Sequence, residues 1–331
     1  MSILLSVVVT TTCAISTPKI YDCDVSNAIE MISTELNERH DEERCWDSVD
    51  PSNGWLSKHR GGTTALTTLA LLASGQSSNY PSIQRALDYI WEVEKPSAYL
   101  LTLRISIWAQ LPETYEKRLE KDTKKLINTL SLEFGGWGTL ATPPTSVASA
   151  SPLTREFGII ALREANRRGI RVPKKCWTAI ANATLTTQQE SGGWSYEQSS
   201  TSGDPTANMT VAGLNCLLGV DEVIGDELHE DDSAKLQSSI NDALLWLDKN
   251  ATTKKNYGGT ALMSYLYALE RAAMSCGLSD IRNRDWYVDG VEAILKTHCG
   301  ARKARGSTVN LSFALLFLTS GRAPIAFCEL V

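Results

Sequence analysis

Hydrophobic and polar positions along the chain fall into helical segments of two kinds. Residues 25–39 (VSNAIEMISTELNER) set Ala28, Ile29, Ile32 and Leu36 on one stripe with acids between them, which predicts an amphipathic helix with one buried face. Residues 61–75 (GGTTALTTLALLASG) carry no charge, and a helix apolar on every side must be buried on every side. The two patterns then alternate. Amphipathic segments at 82–94, 116–132, 173–189, 233–249 and 285–297 are followed by apolar ones at 99–111, 154–168, 208–218, 261–276 and 308–319. Gly135, Gly136 and Gly169 stand at segment ends as helix stops, and Pro173 opens the segment after it.

The apolar segments begin near residues 62, 99, 154, 208, 261 and 308, a spacing of about fifty from the second onward. A repeat of that length reads as stacked helical hairpins. An open solenoid leaves one face of every helix in water, which fits wholly apolar helices poorly. Closing six hairpins into a ring puts the apolar helices inside and the amphipathic ones outside. The expected fold is therefore all-α, a single (α/α)6 toroid over residues 25–325 with no sheet. Loops 138–152 and 196–205, rich in Gly, Ser, Thr and Pro, are expected to crowd one end of it.

A chain of 331 residues suits one such ring, and 43% hydrophobic with 21% charged residues argues against a disordered chain. The net charge of −6 gives no reason to expect nucleic acid as a partner, and the basic cluster at 163–175 reads as a solvated face. Eight cysteines (Cys13, Cys23, Cys45, Cys176, Cys216, Cys276, Cys299, Cys328) include no Cys-x-x-Cys pair, so no zinc knuckle follows. Cys216 and Cys276 lie in apolar runs and are expected to be buried; a disulfide or two is permitted but not required. The start, MSILLSVVVTTTCAIS, has an apolar run at 3–9 and a small pair, Ala14 and Ser16, but no basic n-region. Residues 1–24 are read as a weak export signal or an N-terminal extension, the chain being cytoplasmic without it. No later uncharged run is suited to span a bilayer, so no transmembrane segment is expected.

Residues Gln188-Gln189-Glu190-Ser191-Gly192-Gly193-Trp194 resemble the glutamine–tryptophan repeats of the squalene cyclase / protein prenyltransferase superfamily. Phe134-Gly135-Gly136-Trp137 is a copy without the Gln, and Cys45-Trp46 to Trp55 a degenerate one. The chain as a whole resembles a branch of uncharacterised bacterial proteins with prenyltransferase/squalene-oxidase repeats. The similar stretches are GGTTAL at 61–66, NMTVAGL at 208–214, YLYALERA at 265–272, DWY at 285–287 and FALLFL at 313–318, with Gly321, Arg322, Ala323 and Pro324. The resemblance implies the toroid and is nearly silent on activity.

The resemblance does say where chemistry would sit. Cyclases of this superfamily carry an Asp-rich acid motif at the start of an inner helix, and the matching place here is Asn208-Met209-Thr210-Val211, without an acid. Asp204, four residues earlier and ahead of Pro205, reads as a turn or cap residue and is a weak catalytic candidate. Prenyltransferase-type zinc binding by Asp, Cys and His is not matched: His298 and Cys299 are adjacent and cannot face one metal from a regular helix. Paired carboxylates of the glycosidase kind would come from Glu156, Glu164 or Glu270. Glu270 abuts Arg271 and Glu156 abuts Arg155, so structural ion pairs are expected at both, and Glu270 is kept as a second weak catalytic candidate. No metal or other cofactor is implied.

What remains is a ring with an apolar interior and aromatic residues at Trp55, Trp137, Trp194, Tyr265 and Tyr267, read first as packing and second as ligand-binding candidates. Two functions follow. One is a binding or interaction module, its partner an apolar or isoprenoid small molecule or another protein. The other is a divergent isoprenoid-handling enzyme, of terpene cyclase or prenyltransferase type, with an acid site around Asp204 and Glu270.

Overall fold

The inner ring closes on itself. In the computed structural model, which describes residues 22–47, 59–139, 141–146, 150, 152–197, 201–253, 261–300 and 303–320, twelve α-helices alternate between two layers. The outer helices are α1 (Asp22–Glu38), α3 (Pro81–Trp91), α5 (Glu116–Asn128), α7 (Lys174–Thr187), α9 (Glu230–Asn250) and α11 (Trp286–His298). The inner ones are α2 (Gly62–Ala73), α4 (Ala98–Gln110), α6 (Pro152–Arg167), α8 (Ala207–Ile224), α10 (Leu262–Cys276) and α12 (Thr308–Ser320). Each inner helix packs on the next inner helix, and α12 returns to pack on α2, so the six form a ring. Burial follows the two patterns. Ten residues of α2 are buried on all sides, whereas α3 buries only Ile83, Ala86, Leu87 and Ile90.

Indole side chains fasten one layer to the other. Trp46, Trp137 and Trp194 each follow an outer helix, and their Nε1–H donates back to a carbonyl near that helix's end: Leu36 at 2.6 Å, Leu126 at 2.7 Å and Thr184 at 2.9 Å. These carbonyls are among the last of a helix, which receive no backbone N–H from a residue four places on within it. The same residues reach forward. The amide N–H of Trp46 donates to Thr64 Oγ1 and that of Trp194 to Thr210 Oγ1, both at 3.2 Å and both on the next inner helix. Glycine makes room for the ring: Gly158 of α6 lies under Trp137 and Gly213 of α8 under Trp194.

The turn itself binds the following outer helix. Gln188 Nε2 donates to Gly192 O and to Ser239 O of α9, each at 2.9 Å, and Gln189 Nε2 holds the loop carbonyls of Ser202 and Gly203. Gly192 adopts φ +90 against the carbonyl of Asp242, a place where any Cβ would collide with α9 backbone. Arg155 performs a like task at the earlier turn, donating to Gly135 O at 2.8 Å and Phe134 O at 3.3 Å.

Several expectations are corrected. The expectation of no sheet gives way to one short hairpin, Asp280–Ile281 with Arg284–Asp285, whose two turn residues Arg282 and Asn283 both have positive φ, as two-residue hairpins favour. The segment expected to end at Leu218 continues to Ile224, because Glu222 in that last part is paired with Arg163 and Arg167 of α6. α9 starts earlier than expected, taking Glu230, Asp231 and Asp232 into its first turn, where acids oppose the helix dipole. Cys276 is exposed at the end of α10 rather than buried, while Cys216 is buried as expected. The cysteines among the described residues are free. The N-terminal apolar run, Trp55, Cys13 and Cys328 lie outside the described residues. Among the described residues no helix is long and apolar enough to cross a membrane.

Gly213→Ala tests the clamp. A Cβ there would stand 2.5 Å from Trp194 Cδ2, and the ring is pinned by its bond to Thr184 O. The substitution should lower stability by about 1–3 kcal/mol, seen as a lower urea midpoint at unchanged m-value. A midpoint equal to that of the parent protein would remove the clamp from the account.

Candidate functional site

Aromatic rings from four inner helices meet inside the ring. Phe157 of α6 lies 5.2 Å from Tyr99 of α4, 6.5 Å from Tyr267 of α10 and 6.4 Å from Phe313 of α12, centroid to centroid. Tyr267 and Phe313 are 5.7 Å apart. Phe157, Tyr267 and Phe313 each stand five residues into their helices (152 to 157, 262 to 267, 308 to 313), so they share one level. In a ring of six, α6 and α12 are opposite each other, and the Phe157–Phe313 contact closes the centre at that level. Tyr267 and Phe313 are buried, whereas Tyr99 and Phe157 keep part of their surface open. His59 extends the cluster outward, edge-on to Tyr99 at 5.7 Å and with Nδ1 3.0 Å from Ser97 Oγ.

Carboxyl groups flank the aromatic layer. Glu156, next to Phe157, is 3% exposed and accepts a hydrogen bond from Asn215 Nδ2 at 2.7 Å; the same amide donates to Ala268 O of α10. Burial pushes the Glu156 carboxyl up to about 7, opposed by the Asn215 bond and by the Arg271 charge. Glu270 is likewise pushed up to about 7 by burial, against the pull of Arg271, and its Oε2 has no hydrogen-bond partner. Arg271 does not close on Glu270. Its guanidinium lies 3.4 Å from Tyr267 Oη and 3.7 Å from Glu164 of α6. Burial alone would lower it, but the Tyr267, Glu270 and Glu164 charges prevail and raise it. Toward the far ends of α6 and α8, Glu222 takes both Arg163 and Arg167.

Both expected ion pairs are thus corrected, for a geometric reason. Neighbouring residues on a helix point about 100° apart. Arg155 turns to the Phe134–Gly135 carbonyls while Glu156 faces Asn215, and Arg271 reaches across to α6.

The proposed site residues fall in different places. Asp204 is exposed in the loop before α8, and the helix is capped by Thr206, whose side chain accepts from Met209 N. It is not brought near Glu270, which is buried on α10. Trp137 and Trp194 are buried and fasten helices together. Tyr265 is fully buried, its hydroxyl without a hydrogen-bond partner. Of the four aromatic candidates among the described residues, Tyr267 alone is in the central cluster. Asn208, where an acid was sought, is buried with its Nδ2 3.5 Å from Tyr196 Oη. Asn215, Tyr99, Phe157 and Phe313 had not been singled out as site residues, and Glu156 had been read as an ion-pair partner of Arg155. Among the described residues no group of His, Cys, Asp and Glu is placed to hold a metal ion.

No family model matches the chain, and no curated relative matches it. Among solved structures it is similar to a variant of the type II terpene cyclase MstE from Scytonema in complex with its substrate geranylgeranyl dihydroxybenzoate: 12% identity, 92% of this chain and 98% of that one, TM-score 0.55. A second variant of the same cyclase gives 14% identity over 90% and 97%, TM-score 0.51. A glycoside hydrolase family 76 mannosidase from Bacteroides thetaiotaomicron is similar over 92% and 99%, at 10% identity and TM-score 0.53. The chain is an α/α toroid, the fold it shares with a terpene cyclase and a mannosidase.

The two carboxyls give a pH test. A Glu titrates at 4.5 unfolded and about 7 at positions 156 and 270 when folded. Between those values the folded chain binds more protons than the unfolded one, so these groups make stability fall as pH rises through 4.5 to 7. Glu156→Gln should match the parent protein near pH 4.5 and exceed it at pH 7.5 by on the order of 2–3 kcal/mol, by urea unfolding. A variant less stable than its parent at both pH values would show an ionised, stabilising Glu156 instead.

Proposed function

We propose that this toroid is a binding module whose aromatic mouth takes an apolar, isoprenoid-like molecule without transforming it. The observation that carries this reading is the Phe157–Phe313 contact, which fills the ring centre with side chains and leaves Tyr99 and Phe157 partly open as an apolar floor. Pockets for such molecules are apolar with a few convergent polar groups, here Glu156 and Asn215. The terpene cyclase of the same fold was captured with a geranylgeranyl compound, which agrees with an isoprenoid ligand. Of the two acids named for the enzymatic alternative, Glu270 is buried and raised to about 7, and Asp204 is not buried. Asp204 is solvent-exposed, and an alkene-protonating acid needs an apolar, water-poor surrounding.

Farnesol is a suitable probe. Titration calorimetry should give saturable one-to-one binding, weakened at least tenfold by Phe157→Ser, and extraction should return farnesol unchanged. Absence of saturable binding would refute the module, and recovery of a cyclised product would replace it with the enzyme.

A further inference from the structure

A gap in the outer layer stays open where an earlier repeat closes it. Gln188, the cap residue of α7, reaches the next outer helix by donating to Ser239 O of α9 at 2.9 Å. The cap residue of α9 is Ala251, whose methyl group cannot span such a gap to α11. A cavity of about 220 Å³ lies there, with Ala251, Thr253, Arg282, Arg284, Trp286 and Asp289 among its lining residues. None of these six belongs to the aromatic cluster inside the ring.

The polar part of that lining has hydrogen-bonding capacity to give. Thr253 is 3% exposed, and among the described residues its hydroxyl has no hydrogen-bond partner. A buried hydroxyl in that state is costly unless an occupant meets it. Arg284 closes on Asp289 through Nε and one Nη, which leaves its other N–H groups to donate elsewhere. Arg282 adopts φ +54 at the first position of the hairpin turn, where glycine or asparagine would sit with less strain. The turn therefore does not call for arginine, and among the described residues no carboxylate closes on its guanidinium. Trp286 supplies an apolar part. Its indole N–H already donates to Leu278 O at 2.6 Å, so ring surface is what it leaves to the cavity.

Charge narrows the occupant. Around the guanidiniums of Arg282 and Arg284 stand four carboxylates: Asp248, which accepts from Arg282 N at 2.7 Å, Asp280 and Asp285 of the hairpin, and Asp289. A free anion meets the carboxylates and a free cation meets the two guanidiniums of the lining. A neutral molecule that both donates and accepts hydrogen bonds meets no such opposition.

We propose that this cavity binds a neutral polyhydroxyl molecule the size of one sugar ring, its C–H face on Trp286 and its hydroxyls on Thr253, Arg282, Arg284 and Asp289. A lining partly apolar and partly of convergent polar groups is the usual make-up of a small-molecule site. The site is separate from the isoprenoid site proposed above, so either can fail alone.

The experiment is saturation-transfer NMR on the full chain at pH 7 with glucose, galactose and mannose, set against glucuronate and glucosamine. At least one neutral hexose should bind saturably, about threefold or more tighter than either charged sugar. Thr253→Val, which keeps the shape and removes the hydroxyl, should weaken that binding about threefold or more. Ala251→Gln, which supplies the side chain of the earlier repeat, should fill the cavity and abolish binding. Arg282→Gly should weaken binding while leaving the thermal midpoint no lower than that of the parent protein; a lower midpoint would overturn its part in the site. Thermal melts establish that the other two variants are folded. Saturable binding by none of the neutral hexoses, tighter binding of a charged sugar, or binding that survives both Ala251→Gln and Thr253→Val overturns the sugar site.

Discussion

Everything in this molecule depends on a tryptophan that holds two helices at once. The indole N–H of Trp194 occupies a late carbonyl of α7, its backbone N–H takes the Thr210 hydroxyl, and its ring lies on Gly213 of α8. An inner and an outer helix are thereby fixed at one separation and one rotation. Trp46 repeats the hydrogen bonds and Trp137 repeats the ring-on-glycine contact. Repeating one local geometry around the chain brings α12 back to α2. The ring is the sum of its turns, since each hairpin contacts chiefly its neighbours.

Closure then creates what no single hairpin contains. Phe157 and Phe313 are 156 residues apart in sequence (157 to 313), yet they meet because their helices stand opposite in a ring of six. The same closure isolates Glu156 from water, which raises its carboxyl against the pull of Asn215 and of the Arg271 charge. A ring that is apolar inside makes any polar group there conspicuous: Asn215 is tied to Glu156 and Ala268, Thr67 to Ser312 and Arg104 to Asp122, whereas Tyr265 Oη and Glu270 Oε2 have no hydrogen-bond partner.

Periodicity made the ring legible in the sequence, because an uncharged helix such as α2 has only one place to go. The clamps were legible too, through the Gly-Gly-Trp turns. The interior constellation was not. Glu156 sits beside Arg155 in sequence, and adjacency suggested a pair; the helical rotation of about 100° per residue separates them. Asn215 and Phe157 look like ordinary members of apolar helices until the ring direction of each helix is known. Asp204 attracted notice by its likeness to an acid motif, but the chain turns it into solvent and leaves the capping to Thr206. Local pattern fixes which face of a helix is buried; only the closed ring determines which buried residues share its axis.

The aromatic layer and the acids bear on each other in a definite direction. Burial raises Glu156 and Glu270 toward the neutral form, so neither acid stabilises the ring as an ionised group in water would. Arg271, the one guanidinium of α10, lies over the Tyr267 ring at 5.7 Å and reaches Glu164 of α6 at 3.7 Å, so it ties the aromatic layer to the neighbouring helix and does not close on the Glu270 beside it in sequence. Helix rotation, which separates neighbours along one helix and brings together residues of different ones, sets both the rings and the acids.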